Sequence, residues 1–259
     1  MENTKIRMIF CDVDGTLLPR GKNKISEDVF SAIRKAVTSD IHVCIASGRS
    51  YPDLKELFSP VKNDVTFVCN DGALVVKCDN ILYSSPLDKA MVKCMSKTYR
   101  NDYKAMVIYA KDYTYYISDV EDISPGQKID SDNIPAIPGN IFKVAFLGLS
   151  EKAVIKLDNL GVKAGILNKI YNDPSWTEYI YANANKGVAT EYLQKYYNCS
   201  VSETAAFGDN LNDLEMLRHA RVSFAIENGN ADVIRMCKYK TNNVSNEILN
   251  IIEKGERYE

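Results

Sequence analysis

Short β-branched apolar runs alternate along this chain with stretches of helical periodicity, break off, and later resume. Residues 6–11 form an apolar run that ends in a glycine-containing turn, and residues 26–38 carry Val29, Ile33 and Val37 at helical spacing. A second run occupies residues 41–46 and leads into a helix-like stretch holding Leu54, Leu57 and Phe58, and a third run lies at 65–69. Apolar runs without alternation, separated by amphipathic helices, are what a parallel sheet covered on both faces requires. From about residue 70 the texture differs. Residues 73–76 and 81–84 flank Lys77-Cys78-Asp79-Asn80, which predicts a hairpin. A helical stretch at 87–99 then precedes strand candidates at 105–109, 113–118, 142–149, 164–171 and 176–181, with a helix near 150–160. That pattern reads as an α+β module with a mostly antiparallel sheet. Within it, residues 120–140 contain Pro125, Gly126, Pro135, Pro138 and Gly139 and predict an irregular, mobile loop. After Asn183 the first rhythm returns, with a helix at 187–197, a strand at 205–207, a helix at 211–219, an apolar run at 222–225 and further helix. The expected fold is therefore α/β: a three-layer parallel-sheet core of residues 1–83 and 184–259, carrying an inserted α+β domain of residues 84–183.

Composition narrows the function classes. Thirty-two Lys and Arg against 34 Asp and Glu give a formal charge of -2, and no basic stripe is present to follow a nucleic-acid backbone. No apolar run approaches the roughly 20 residues that span a bilayer, so no membrane partner is expected and the location expected is cytoplasmic. The seven cysteines are scattered and form no C-x-x-C pair, which argues against a disulfide framework or a zinc site and for small reduced side chains kept in the interior.

The chemistry-bearing residues stand at strand ends. Asp12-Val13-Asp14-Gly15-Thr16 follows the first run directly. In an open parallel sheet, ligands bind beyond the carboxyl ends of the strands, so two carboxylates there face a site. Acids this close invite a hard divalent cation such as Mg2+, and an aspartate can attack phosphorus. Gly208-Asp209-Asn210-Leu211-Asn212-Asp213 repeats the geometry after the strand at 205–207: Asp209 is placed to join Asp12 at a metal, while Asn212 and Asp213 lie near a helix start that welcomes an anion. Ser47-Gly48-Arg49 offers a hydroxyl and backbone amides, and Lys186-Gly187 a cation of the kind that neutralises a transferring phosphoryl group. His42 and His219 are not placed to act as bases.

In this order the four pieces resemble the four motifs of the haloacid dehalogenase superfamily, and more closely its Cof-type phosphatases with a class II cap; the resemblance covers the whole chain. It implies a Rossmann-like core in which Asp12 is the nucleophile and Asp14 the general acid and base. It further implies Mg2+ held by Asp12, Asp209 and the backbone carbonyl of Asp14, with Asp213 orienting, and phosphate held by Ser47, Gly48, Lys186 and Asn212. The substrate implied is a small phosphorylated metabolite, with sugar phosphates first. Asp14 itself argues against dehalogenation, since a halide leaving group needs no protonation. This chain departs from the family at Asn70-Asp71-Gly72-Ala73, where an acid replaces the usual Asn. Asp71 and Gly72 are candidate pocket residues, and the plainer reading of Asp71 is a turn cap. Two other readings are a phosphosugar mutase, which shares the first motif and cap class but differs in the loop at 211–217, and a non-catalytic sensing module, which has no place for an inserted cap.

Overall fold

The computed structural model describes residues 5–118 and 126–254. They divide into two compact units: one comprises the chain up to Arg49, Asp53–Tyr83 and the chain from Asn185 onward, and the other comprises Ser50–Pro52 and Ser84–Ala184.

The first unit is an α/β sandwich. Its leading half runs β1 (Met8–Asp12), α1 (Glu27–Thr38), β2 (His42–Ala46), α2 (Tyr51–Leu57), β3 (Thr66–Cys69), β4 (Leu74–Lys77) and β5 (Asn80–Ser84). Every residue of β1 and β3 is buried, as strands covered on both faces must be. In α1 the buried stripe is Val29, Phe30, Ala32, Ile33 and Ala36; Val37, expected on that stripe, is only partly buried because it lies at the margin of the apolar face. The hairpin of β4 and β5 turns at Cys78 (φ 47) and Asp79 (φ 64), two successive left-handed residues of the kind a two-residue type I′ turn demands.

The second unit holds α3 (Lys89–Thr98), β6 (Ala105–Ala110), β7 (Thr114–Ser118), β8 (Gln127–Lys128), β9 (Ile141–Leu147), α4 (Glu151–Leu157), β10 (Leu167–Asn172) and β11 (Trp176–Tyr181). The sheet order is β10-β11-β9-β6-β7-β8, antiparallel throughout except for the pairing of β7 with β8. Side-chain caps start both helices: Asp88 accepts from the Met91 amide and Ser150 from the Ala153 amide. Residues 120–140 depart from the expected loop. Residues 120–125 lie outside the described residues, but Gln127–Lys128 forms a strand and Ser131–Ala136 a 3₁₀ helix. Pro135 is tolerated in that short helix while Ile134 and Ile137 anchor it in the apolar cluster of the unit.

The chain then completes the first unit with α5 (Lys186–Tyr196), β12 (Thr204–Gly208), α6 (Leu214–Arg218), β13 (Val222–Ile226), α7 (Ala231–Met236), β14 (Tyr239–Thr241) and α8 (Val244–Lys254). The eight-stranded sheet has the order β14-β13-β12-β1-β2-β3-β4-β5, parallel from β14 to β3 and antiparallel at β4. The predicted helix at 211–219 is instead a 3₁₀ turn, Leu211–Asp213, running into the short α6. The cysteines divide: Cys11, Cys44, Cys69 and Cys199 are buried and Cys237 half-buried, whereas Cys78 and Cys94 are exposed, so the interior reading does not hold for those two. Burial pushes the Cys11, Cys44 and Cys69 thiols well above their ordinary range. Among the described residues no helix is long and apolar enough to cross a membrane.

Candidate active site

Strand order decides where the site lies. From β1 the chain moves to β2 and β3 on one side, while β12, β13 and β14 fill the other, so the order reverses at β1 and opens a crevice at the carboxyl ends there. Asp12 ends β1 in register with Ala46, the last residue of β2; Ser47 follows directly, Asn70 and Asp71 follow β3, and Asp209 follows β12. Four adjacent parallel strands thus deliver their terminal residues to one edge.

Asp12 is 5% exposed. The turn after it is pinned by Leu18, whose amide donates to the Val13 carbonyl at 2.8 Å and whose carbonyl accepts from Gly15 at 2.9 Å, with Leu17 and Leu18 both buried. Lys186, the first residue of α5, reaches in from a helix start capped by Asn185, which accepts from the Val188 amide. Its ammonium donates at 2.7 Å to Asp12 Oδ1 and at 2.7 Å to Asp213 Oδ1, and is fully buried. Asp213 Oδ2 accepts from the amides of Asp209 and Asn210 at 3.0 and 3.1 Å, so both its oxygens are engaged. Asp12 Oδ2, by contrast, is buried with no hydrogen-bond partner among the described residues, as are the Thr16 hydroxyl and the Asn70 amide. Such orphans at the mouth of a crevice are costly unless something fills the space.

The electrostatics agree. Burial and the neighbouring Asp213 push the Asp12 carboxyl up to about 8, against the pull of Lys186. Burial also works against charge on Lys186, but Asp12, Asp213 and Asp71 outweigh it and hold the ammonium above its ordinary range. Asp209 is raised by burial and by Asp213, with Arg20, 3.3 Å from its Oδ2, opposing. Asp12, Asp209 and Asp213 each present a carboxylate oxygen within 4.8 Å of the others. Three carboxylates face the buried Lys186 ammonium and, at the margin, the exposed Arg20 guanidinium, so acidic groups outnumber cations; an all-oxygen donor set with one orphaned oxygen fits a hard divalent cation such as Mg2+.

The remaining expected residues fall into two neighbouring groups. Asp14 is exposed and is gripped by Arg49, whose Nε and Nη2 donate to its two oxygens at 2.8 and 2.6 Å. Its side chain is therefore not in the carboxylate cluster. Ser47 is buried and its hydroxyl accepts from the Arg49 amide at 3.2 Å. Asn212, on the exposed 3₁₀ turn, donates through Nδ2 to Asp71 Oδ1 at 2.8 Å. Asp71 is thus no solvent-facing turn cap: it is 5% exposed and bonded across the site. Gly72 is buried against the Asn185 carbonyl at the start of α5, a packing position and not open pocket wall. Sequence reasoning assigned no role to Arg49, Arg20 or Thr16. Arg49 and Thr16 stand inside motifs already quoted, which was the available signal; Arg20 had none.

Comparison with known proteins follows the same lines. A family profile described as haloacid dehalogenase-like hydrolase matches residues 9–250. A 5-amino-6-(5-phospho-D-ribitylamino)uracil phosphatase of Escherichia coli is 25% identical over 98% of this chain and 97% of its own. An HMP-PP phosphatase of Yersinia pseudotuberculosis is 26% identical over 87% and 84%. A solved phosphatase of the haloalkanoate (HAD) superfamily from Bacteroides thetaiotaomicron superposes with a TM-score of 0.79 at 22% identity, covering 98% of this chain and 96% of that one.

Proposed function

The chain belongs to the haloacid dehalogenase-like hydrolases, and on that premise we propose that this phosphatase is a Mg2+-dependent phosphomonoester hydrolase of small phosphorylated metabolites, with phosphorylated sugars and sugar alcohols first, working through an aspartyl-phosphate on Asp12. The observation that carries the reading is Asp12 itself: a buried carboxylate at the end of the central strand, one oxygen on the Lys186 ammonium and the other without a partner. The E. coli relative, named for a substrate that carries a phosphorylated ribityl chain, supports the choice of leaving group.

In this reading Asp12, Asp209 and the Asp14 carbonyl hold Mg2+, which supplies charge neutralisation at the phosphoryl oxygens when bound. Asp213 has both oxygens engaged and serves to hold Lys186 and the Asp209 amide in place. An Asp12 oxygen attacks phosphorus as the bond to the leaving oxygen breaks; Lys186, Ser47, the Gly48 loop and Asn212 hold the equatorial oxygens. Asp14 gives the leaving oxygen its proton, then takes one from the water that hydrolyses the acyl phosphate. Arg49 fixes Asp14 as a fork fixes a carboxylate. The fork occupies one acceptor site on each Asp14 oxygen, and the second lone pair of either can carry the proton to the leaving group.

The test is phosphate release from a panel of sugar phosphates, sugar-alcohol phosphates, nucleotides and cofactor phosphates, with Mg2+, with chelator, and with Asp12→Asn in parallel. Mg2+-dependent turnover lost in the variant is expected. Turnover that survives Asp12→Asn would remove the nucleophile, and turnover that survives chelation would remove the metal.

A further inference from the structure

The turn after β3 puts a negative charge where a phosphate is to be held. Asn70 (φ 49), Asp71 (φ 54) and Gly72 (φ 94) are left-handed in succession. Asn and Asp enter that region more readily than other side-chain-bearing residues, but two in succession need surroundings that hold them there. Here the surroundings are the Ser47-Gly48-Arg49 loop: the Asn70 amide donates to the Arg49 carbonyl at 2.9 Å and the Asp71 amide to the Ser47 carbonyl at 3.0 Å. The Asp71 side chain is held as firmly. Its Oδ2 lies 2.8 Å from the place a Cβ on Gly48 would take, and its Oδ1 accepts from Asn212 Nδ2 at 2.8 Å.

Asn212, in turn, is an exposed residue on a one-turn 3₁₀ helix, and among the described residues its side-chain amide is fixed by that bond to Asp71. An amide can present either its oxygen or its NH2 to a neighbour, and a neutral amide partner at position 71 would accept both orientations. An ionised carboxylate accepts only. It therefore dictates that Nδ2, and not Oδ1, faces Asp71, and leaves the second N–H for another acceptor.

We propose that Asp71 is a positioning residue for phosphate: it locks the Asn212 amide with one N–H on Asp71 Oδ1, so that the other is presented to a phosphoryl oxygen. The proposal rests on the phosphatase reading above, and it makes a prediction of opposite sign from simple charge repulsion. A carboxylate acting only through its charge repels phosphate, and removing it tightens binding. A carboxylate acting through Asn212 strengthens phosphate binding, and removing it weakens it.

The experiment is titration of inorganic phosphate into the Mg2+-loaded wild type, Asp71→Asn, Asp71→Ala, Asn212→Ala and the double variant, with thermal melts of each and with KM and kcat on the best ester of the panel. Asn tolerates left-handed backbone, so Asp71→Asn keeps the turn if Ala does not. Expected are a phosphate affinity roughly 10-fold weaker in Asp71→Ala, about the value of one hydrogen bond to a charged group, a smaller loss in Asp71→Asn, and KM rising more than kcat falls. In the Asn212→Ala background, Asp71→Ala should cost nothing further, the full coupling expected of two groups acting as one. Unchanged or tighter phosphate binding in either Asp71 variant overturns the proposal, as do additive losses in the double variant or a wild type that binds no phosphate. A wild type that binds phosphate but turns over no ester would sink the phosphatase reading, and the affinity comparison would still decide Asp71.

Discussion

At Gly15 the backbone has a φ of 95° and a Cβ would lie 2.2 Å from Asp209 Oδ2, so position 15 couples the turn after β1 to the carboxylate after β12. Gly15→Ala should strain the turn by at least about 1 kcal/mol and displace Asp209; turnover is expected to fall roughly 10–100-fold if Asp209 holds the cation, and wild-type turnover in that variant would detach Asp209 from the chemistry. Lys186 gives a second test at this scale. Lys186→Met leaves Asp12 and Asp213 buried without their shared cation, which should cost about 3–5 kcal/mol. The expected result is a folded but much less stable protein without turnover, read by denaturant unfolding together with phosphate release. Stability equal to wild type would mean that the ammonium is not what holds the two carboxylates together.

Among the elements, the β4–β5 hairpin invites a stabilising change. Its turn places Cys78 at φ 47, a conformation Asn accepts more readily than Cys. Cys78→Asn should raise stability by about 0.5 kcal/mol and Tm by roughly 1–2 °C in a chain of this size; a lower Tm would show that the Cys78 contact to the Asn63 carbonyl matters more than the turn. The elements also show what could be read from sequence. The strands that flank the site were legible because each is buried on both faces over most of its length and so spells a short, mostly apolar run without alternation. β8 and β14 were not: Gln127–Lys128 is polar, and Tyr239–Thr241 carries an exposed lysine at the sheet edge, so only pairing defines them. The strand-end acids were visible for the same reason as their strands. Their side-chain partnerships were not, because Arg49 and Asp14, Asp71 and Asn212, and Arg20 and Asp209 lie 35, 141 and 189 residues apart.

For the whole molecule, a cation held as proposed by Asp12 and Asp209, beside Asp213, would add to the stability of the fold as well as to the chemistry. A ligand that binds only the folded state at 100 times its Kd stabilises by about 2.7 kcal/mol, so saturating Mg2+ should raise Tm by roughly 5 °C or more, and Asp209→Asn should abolish most of that rise. An identical rise in wild type and variant would place the bound ion elsewhere. Sheet order has a further consequence, in time. β1 pairs with β2, about 35 residues along the chain, but its other neighbour, β12, comes about 200 residues later. At about 5–20 residues per second, a nascent chain waits on the order of 10–40 s between making the strand that bears Asp12 and making the one that covers its open side. Through that interval the edge of a strand that is apolar from Met8 to Cys11 stands unpaired, so the chain is most vulnerable to aggregation while it is being made, and a ribosome-tethered fragment ending before Thr204 should recruit chaperones that the finished protein does not.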